Sequence, residues 1–208
     1  MFQNRIDPFG QLIETSARGA WLGNRGVIHN ELQQIVRPFK IKAWITCALE
    51  FRGRHREIMQ PNRWTELFFL DEATAFSAGH RPCFQCRYEA HQKFKEFWIK
   101  GNPEYGFTMK TPVSQIDAII HAQRIANDKS KIIYEQVIEN LPNGTFISIL
   151  KQPYLVNDEQ LFLWRPEGYE KGINLSAIEK VRVLTPLSIV NMFSAGYLAQ
   201  VALDYNRY

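Results

Sequence analysis

The segment Gly79-His80-Arg81-Pro82-Cys83-Phe84-Gln85-Cys86-Arg87 holds the residue types with the greatest chemical reach in this chain. A Cys-x-x-Cys turned by a preceding proline forms a tight knuckle, in which two thiolates can face one tetrahedral ion at about 2.3 Å each. The rival chemistry is a redox dithiol, which belongs between a strand and a long helix of a βαβ unit. Here the pair follows a short helical segment and a glycine, the layout of a metal knuckle. Two free thiols are the third reading. Three cysteines in 208 residues are too few for a full disulfide framework. The start, MFQNRIDPFG, has no apolar signal segment, so a reducing, cytoplasmic setting is expected.

The second signal is charge. Arg37, Lys40, Lys42, Arg52, Arg54, Arg56 and Arg63 stand against only Glu50 and Glu57, a local excess of five beside a whole-chain net of +4. Such a stretch favours phosphates by counterion release, or is simply a solvated face. Arg52, Arg54 and Arg56 occupy alternate positions, which point to one side of an extended chain. Together with Arg81 and Arg87 from the knuckle, they are expected to meet the phosphates of a nucleic acid. Trp44, Phe51 and Trp64 interleave with the stripe, either to stack on bases or to pack a sheet face.

Other constellations carry less. Asp117 and His121, four apart on a predicted helix, could act as orienting carboxylate and general base, or form an ordinary surface pair. There is no Gly-x-Ser-x-Gly elbow and no glycine-rich phosphate loop ending in Lys-Ser/Thr; whether the chain catalyses a reaction stays open, with a non-enzymatic role favoured. The glycine-spaced stretch from Gly19 to Gly26 reads as a backbone turn against the core, where Arg25 and His29 could line a pocket.

The elements that must position these residues follow from periodicity and punctuation. Strands are predicted over 43–51 and 65–70, with a turn at 52–54 between extended pieces. Asp71 offers an N-cap to a short helix over 72–78, and Gly79 suits its C′ position. Helical period recurs over 87–100 and 113–127, and 131–141 reads as a further helix. After Leu141-Pro142-Asn143-Gly144 come short β-like runs at 145–150, 154–156, 160–164 and 181–184. Pro186 and Gly196 bracket a last helix over 187–195. Residues 1–36 read as irregular. The fold class is α+β: a small mixed zinc-knuckle region, a helical middle and a β-rich C-terminal part. The division is 1–141 and 142–208, or one continuous domain. The 45% hydrophobic and 13% aromatic content indicates a folded chain, and no apolar run reaches membrane-spanning length.

The run LFFLDEATAFSAGHRPCFQCR resembles the second half of the Ada metal-binding domain. Two aromatics, a short helix and Ala-Gly-aromatic-Arg-Pro-Cys-x-x-Cys-Arg recur there. The resemblance covers roughly residues 44–90, and the whole chain is similar to a family of uncharacterised bacterial proteins that share the segment. It implies zinc. The Ada domain holds its ion with four cysteines, two from an earlier Cys-x-x-x-Cys, and one of those accepts a methyl group from a DNA phosphotriester. Carried back without gaps, the alignment puts Arg52 and Arg56 at those two positions. A guanidinium can neither ligate zinc nor accept the methyl. The resemblance thus implies a zinc site completed by other groups, without methyl acceptance.

Cys47, a soft thiolate on the adjacent predicted strand, is the candidate third ligand, or is a small core residue. His55, beside a lost cysteine position, is the candidate fourth, with His29 and His80 as alternatives. His80 stands where the family carries an aromatic and so has a packing role open to it. The functional expectation is a zinc-binding, nucleic-acid-binding protein. The alternatives are a zinc-stapled protein that binds a protein or small molecule, and a metal-dependent hydrolase.

Overall fold

The computed structural model describes residues 1–53, 57–174 and 179–203. The fold is α+β, with two six-stranded sheets and four α-helices among the described residues. The first sheet contains β1 (Arg5–Ile6), β2 (Leu12–Ile13), β3 (Trp21–Asn24), β4 (Ile45–Cys47), β5 (Leu67–Phe69) and β6 (Arg81–Pro82), in the order β2-β1-β5-β3-β4-β6. The second contains β7 (Tyr134–Val137), β8 (Phe146–Ile149), β9 (Gln152–Asn157), β10 (Gln160–Arg165), β11 (Gly168–Asn174) and β12 (Lys180–Val183), in the order β11-β10-β9-β8-β12-β7. The helices are α1 (Glu72–Ser77), α2 (Tyr88–Gly101), α3 (Val113–Arg124) and α4 (Leu187–Ser194).

Local chemistry explains the short helix before the knuckle. Asp71 accepts the Thr74 N–H at 2.8 Å and caps α1, and Gly79 leaves it at φ +82°. Phe76 of α1, Phe94 and Trp98 of α2, Ile116 and Ile120 of α3, and Met192 of α4 form one apolar core. That core fixes α2 and α3, which flank the knuckle. Among the described residues no helix is long and apolar enough to cross a membrane.

Two predicted elements are corrected. Residues 1–36 are not irregular, since they supply β1, β2 and β3. The glycines that suggested a loop are there for close approach: a Cβ at Gly19 would strike the Phe69 backbone, and one at Gly23 the Phe69 ring. Residues 131–141 are not a helix. Tyr134–Val137 is a strand paired antiparallel with β12, and a 3-10 turn follows at Ile138–Asn140. A short apolar run suits either state, and the open edge of the second sheet decides for a strand. That sheet therefore draws a strand from before residue 142. Ala73 of α1 shares a core with Phe146, Leu155 and Trp164, and Phe9 and Ile13 pack against it.

Candidate metal centre

Three short elements bring the thiols together. Cys47 ends β4, which pairs parallel with β6 through Ile45↔Arg81 and Thr46↔Pro82. The ladder runs one step further, where the Cys83 N–H donates to the Thr46 carbonyl at 2.8 Å. Cys83 therefore lies beside Cys47. The knuckle then turns, with the Arg87 N–H reaching the Cys83 carbonyl at 3.1 Å, and Cys86 is carried to the entrance of α2. The Sγ atoms of Cys47, Cys83 and Cys86 all lie within 4.8 Å of one another. Tetrahedral zinc with bonds of about 2.3 Å needs sulfurs about 3.8 Å apart, which this upper bound accommodates.

The surroundings are apolar on one side and polar on the other. Cys47 and Cys83 are buried with Leu22, and Ile45, Trp64 and Phe68 pack against them, while Cys86 is half-buried. The Cys83 thiol is lowered to about 5, chiefly by the Cys47 thiol donating to it, with backbone N–H groups of Cys86 and Gln85 assisting against burial. Cys47 is pushed up because it is that donor and is buried. Cys86 is raised, first by burial. Without a cation the cluster thus favours the thiolate at Cys83 and disfavours it at Cys47 and Cys86. A divalent ion would draw off the remaining thiol protons, as metal binding to cysteine does.

The histidine candidates divide. His55 lies outside the described residues, as do Arg54 and Arg56. His80 is fully buried and packs edge-on to Phe69, with centroids 4.6 Å apart, and against Trp44 at 5.1 Å, taking the packing role of an aromatic. Burial holds its pKa well below the ordinary histidine value. His29 is occupied by Thr65 Oγ1 at 2.6 Å and the Gln60 carbonyl at 3.1 Å. Among the described residues the thiol group has no fourth His, Cys, Asp or Glu.

The arginine expectation needs correction at two positions. Arg81 is buried and grips Asp117 with two bonds, Nε to Oδ1 at 2.7 Å and Nη2 to Oδ2 at 2.8 Å. Arg87 pairs with Glu72, donates to Thr46 Oγ1 at 2.8 Å and lies 3.7 Å over the Trp21 ring. Their side chains are each only 7% exposed, so phosphates cannot reach them without breaking an ion pair. Taking a charge out of water unpaired is costly, and here Asp117 and Glu72 supply the pairs. Arg52 is exposed, over the Phe51 ring at 5.1 Å.

Asp117 and His121 do not act together. Asp117 serves Arg81, whereas His121 Nδ1 lies 2.8 Å from Arg124 Nη2. Trp44 is buried, and Trp64 packs on the thiol cluster, so both belong to the packed interior rather than to a stacking platform. The sequence reading missed Arg124 and Lys131, which line a cavity with Arg25. Neither carries a local signal, because their burial is set by elements far away in the chain. No protein family, no curated protein and no solved structure matches this chain.

Proposed function

We propose that this is a zinc-binding protein in which Cys47, Cys83 and Cys86 ligate one ion with a structural role, in an Ada-like knuckle without methyl-acceptor chemistry. The observation that carries the reading is three sulfurs from two strand ends and a helix entrance gathered within 4.8 Å. Zinc is favoured among metals because it is borderline-soft and accepts three thiolates in a tetrahedron. The proposal takes His55 as the fourth ligand, which would make a closed site of three sulfurs and one imidazole. Such a site would leave no open position for water, whereas a water in the fourth position would favour the hydrolase alternative.

The role of the ion would be to tie β4 and β6 to the start of α2. The test is metal content by native mass spectrometry, with and without chelator. One zinc per chain is expected, and Cys83→Ser should release it and lower the melting temperature, because metal binding in such sites is folding free energy. A metal-free native protein with unchanged stability would overturn the reading.

Polyanion binding is the second reading. Exposed Arg37, Lys40, Lys42, Arg52 and Arg63 favour it, while the internal pairing of Arg81 and Arg87 removes the contribution expected from the knuckle. Retention on duplex DNA that falls by roughly 0.9 log unit per contact in a log–log salt plot would support it.

A further inference from the structure

The strand that delivers Cys47 at its end is preceded by Trp44 at its start, and there a second site opens. Arg25, Arg124 and Lys131 line one cavity of about 490 Å³, a size suited to a small-molecule ligand. Both arginines are almost wholly buried, at 1% and 2% exposure, and their guanidinium groups lie 3.9 and 3.7 Å from the Trp44 ring.

Their hydrogen bonds go to neutral groups. Arg25 Nε meets His80 Nε2 at 3.2 Å, and its Nη1 donates to the Gly10 carbonyl at 3.0 Å. Arg124 Nη1 and Nη2 donate to the carbonyls of Gly79 and Lys42 at 2.6 and 2.7 Å. Lys131 Nζ donates to the Ser77 carbonyl at 2.5 Å. None of the three forms an ion pair among the described residues, and Arg25 Nη2 and Arg124 Nε have no hydrogen-bond partner.

Asp7 is the carboxylate that acts on Arg25 and Lys131, while Asp117, which acts on Arg124, is already held by Arg81. The environment registers the imbalance. Burial and the neighbouring guanidinium groups push Lys131 down to about 7, and burial pushes Arg25 down to about 9 and Asp7 up to about 6. Buried charge without a counterion is costly, and a desolvated cluster of titratable groups lining a cleft is a candidate binding site.

We propose that this cavity binds a phosphomonoester of a small molecule, the phosphate facing Arg25, Arg124 and Lys131 and an apolar or planar body resting on Phe9 and Leu12. With Lys131 protonated, three cations against one carboxylate leave two positive charges, which a phosphate dianion matches and a monocarboxylate does not. The walls are largely apolar, which supplies the burial for an organic body. The sequence around Arg37, Lys40 and Lys42 takes on a role here. The N–H groups of Lys40 and Ile41 donate to the Arg25 carbonyl at 2.9 and 3.2 Å, and Pro38 lines the cavity. The exposed basic side chains of that segment thus flank the site and would draw anions toward it.

Calorimetric titration of the full chain at constant ionic strength is the test, with phenyl phosphate, inorganic phosphate and benzoate as probes. Phenyl phosphate should bind, with inorganic phosphate at least about tenfold weaker for want of apolar burial. Benzoate should be weaker than phenyl phosphate. Lys131→Met and Arg25→Met should each weaken phenyl phosphate about tenfold or more while zinc content stays unchanged. Lys131 is half-buried at the cavity wall, so its variant remains informative if Arg25→Met fails to fold. Absence of phenyl phosphate binding at millimolar concentration, equal binding of benzoate, or unchanged binding by Lys131→Met would overturn the proposal.

Discussion

Replacing Asp117 by Asn tests whether Arg81 belongs to the interior or to a ligand. Asn keeps the size of Asp but removes its charge, leaving a guanidinium that is 7% exposed with no counterion. The present pair is bidentate, at 2.7 and 2.8 Å, and the third Arg81 contact is a neutral carbonyl, that of Pro82 at 3.1 Å. Breaking a buried pair from one side typically costs about 3–5 kcal/mol, because the surviving charge is stranded. For a chain of this length that corresponds to a melting temperature lower by roughly 6–20 °C. Replacing both partners, Arg81→Met with Asp117→Val, strands no charge and should cost much less than the single change. Equilibrium denaturant unfolding of the parent, Asp117→Asn, Arg81→Met, Asp117→Val and the double variant, all at the same metal content, gives the single cost and closes the cycle. Asp117→Asn within about 1 kcal/mol of the parent would refute the reasoning. It would show that Arg81 does not depend on Asp117 and return it to the set available to phosphates.

Lys131 should leave a mark on the pH profile. Its pKa is about 7 in the fold against an ordinary lysine value, so the unfolded chain binds the extra proton between those limits. Stability of the parent should therefore rise with pH above about 7 relative to Lys131→Met, and a flat difference between the two unfolding curves would contradict this. Gly19→Ala should cost about 1–3 kcal/mol, read by thermal unfolding, because the added Cβ would meet the Phe69 backbone, which cannot swing aside. Incubation with methylated DNA should transfer no methyl group to any cysteine, since Arg52 and Arg56 stand where the Ada resemblance places that family's earlier cysteines. An intact mass heavier by one methyl would refute it.

The elements most legible in the sequence were those with their own punctuation. Asp71 and Gly79 delimit α1 by capping chemistry that acts within a few residues, and the predicted helices over 87–100 and 113–127 correspond to α2 and α3. The strands near the start were illegible for the opposite reason. Gly19 and Gly23 look like loop residues until Phe69, some fifty residues later, is seen lying against them. Tyr134–Val137 was ambiguous for the same cause, because only the edge offered by β12 makes it a strand.

The same division runs through the candidate sites. Cys83 and Cys86 could be read as a pair from local spacing and the preceding proline, and Cys47 could be named as a soft ligand on a nearby strand. The convergence of all three sulfurs was decided by the parallel pairing of β4 with β6, a contact between segments far apart in the chain. Charge was the least legible property. Composition showed how many arginines there are, but which of them keep their charge for a ligand depends on what lies opposite. Arg81 and Arg87 meet carboxylates, whereas Arg25 and Arg124 meet carbonyls, two histidines and a tryptophan ring. Residue type is a local fact, while desolvation and pairing are set by tertiary neighbours, and they decide whether a buried cation completes the core or awaits an anion.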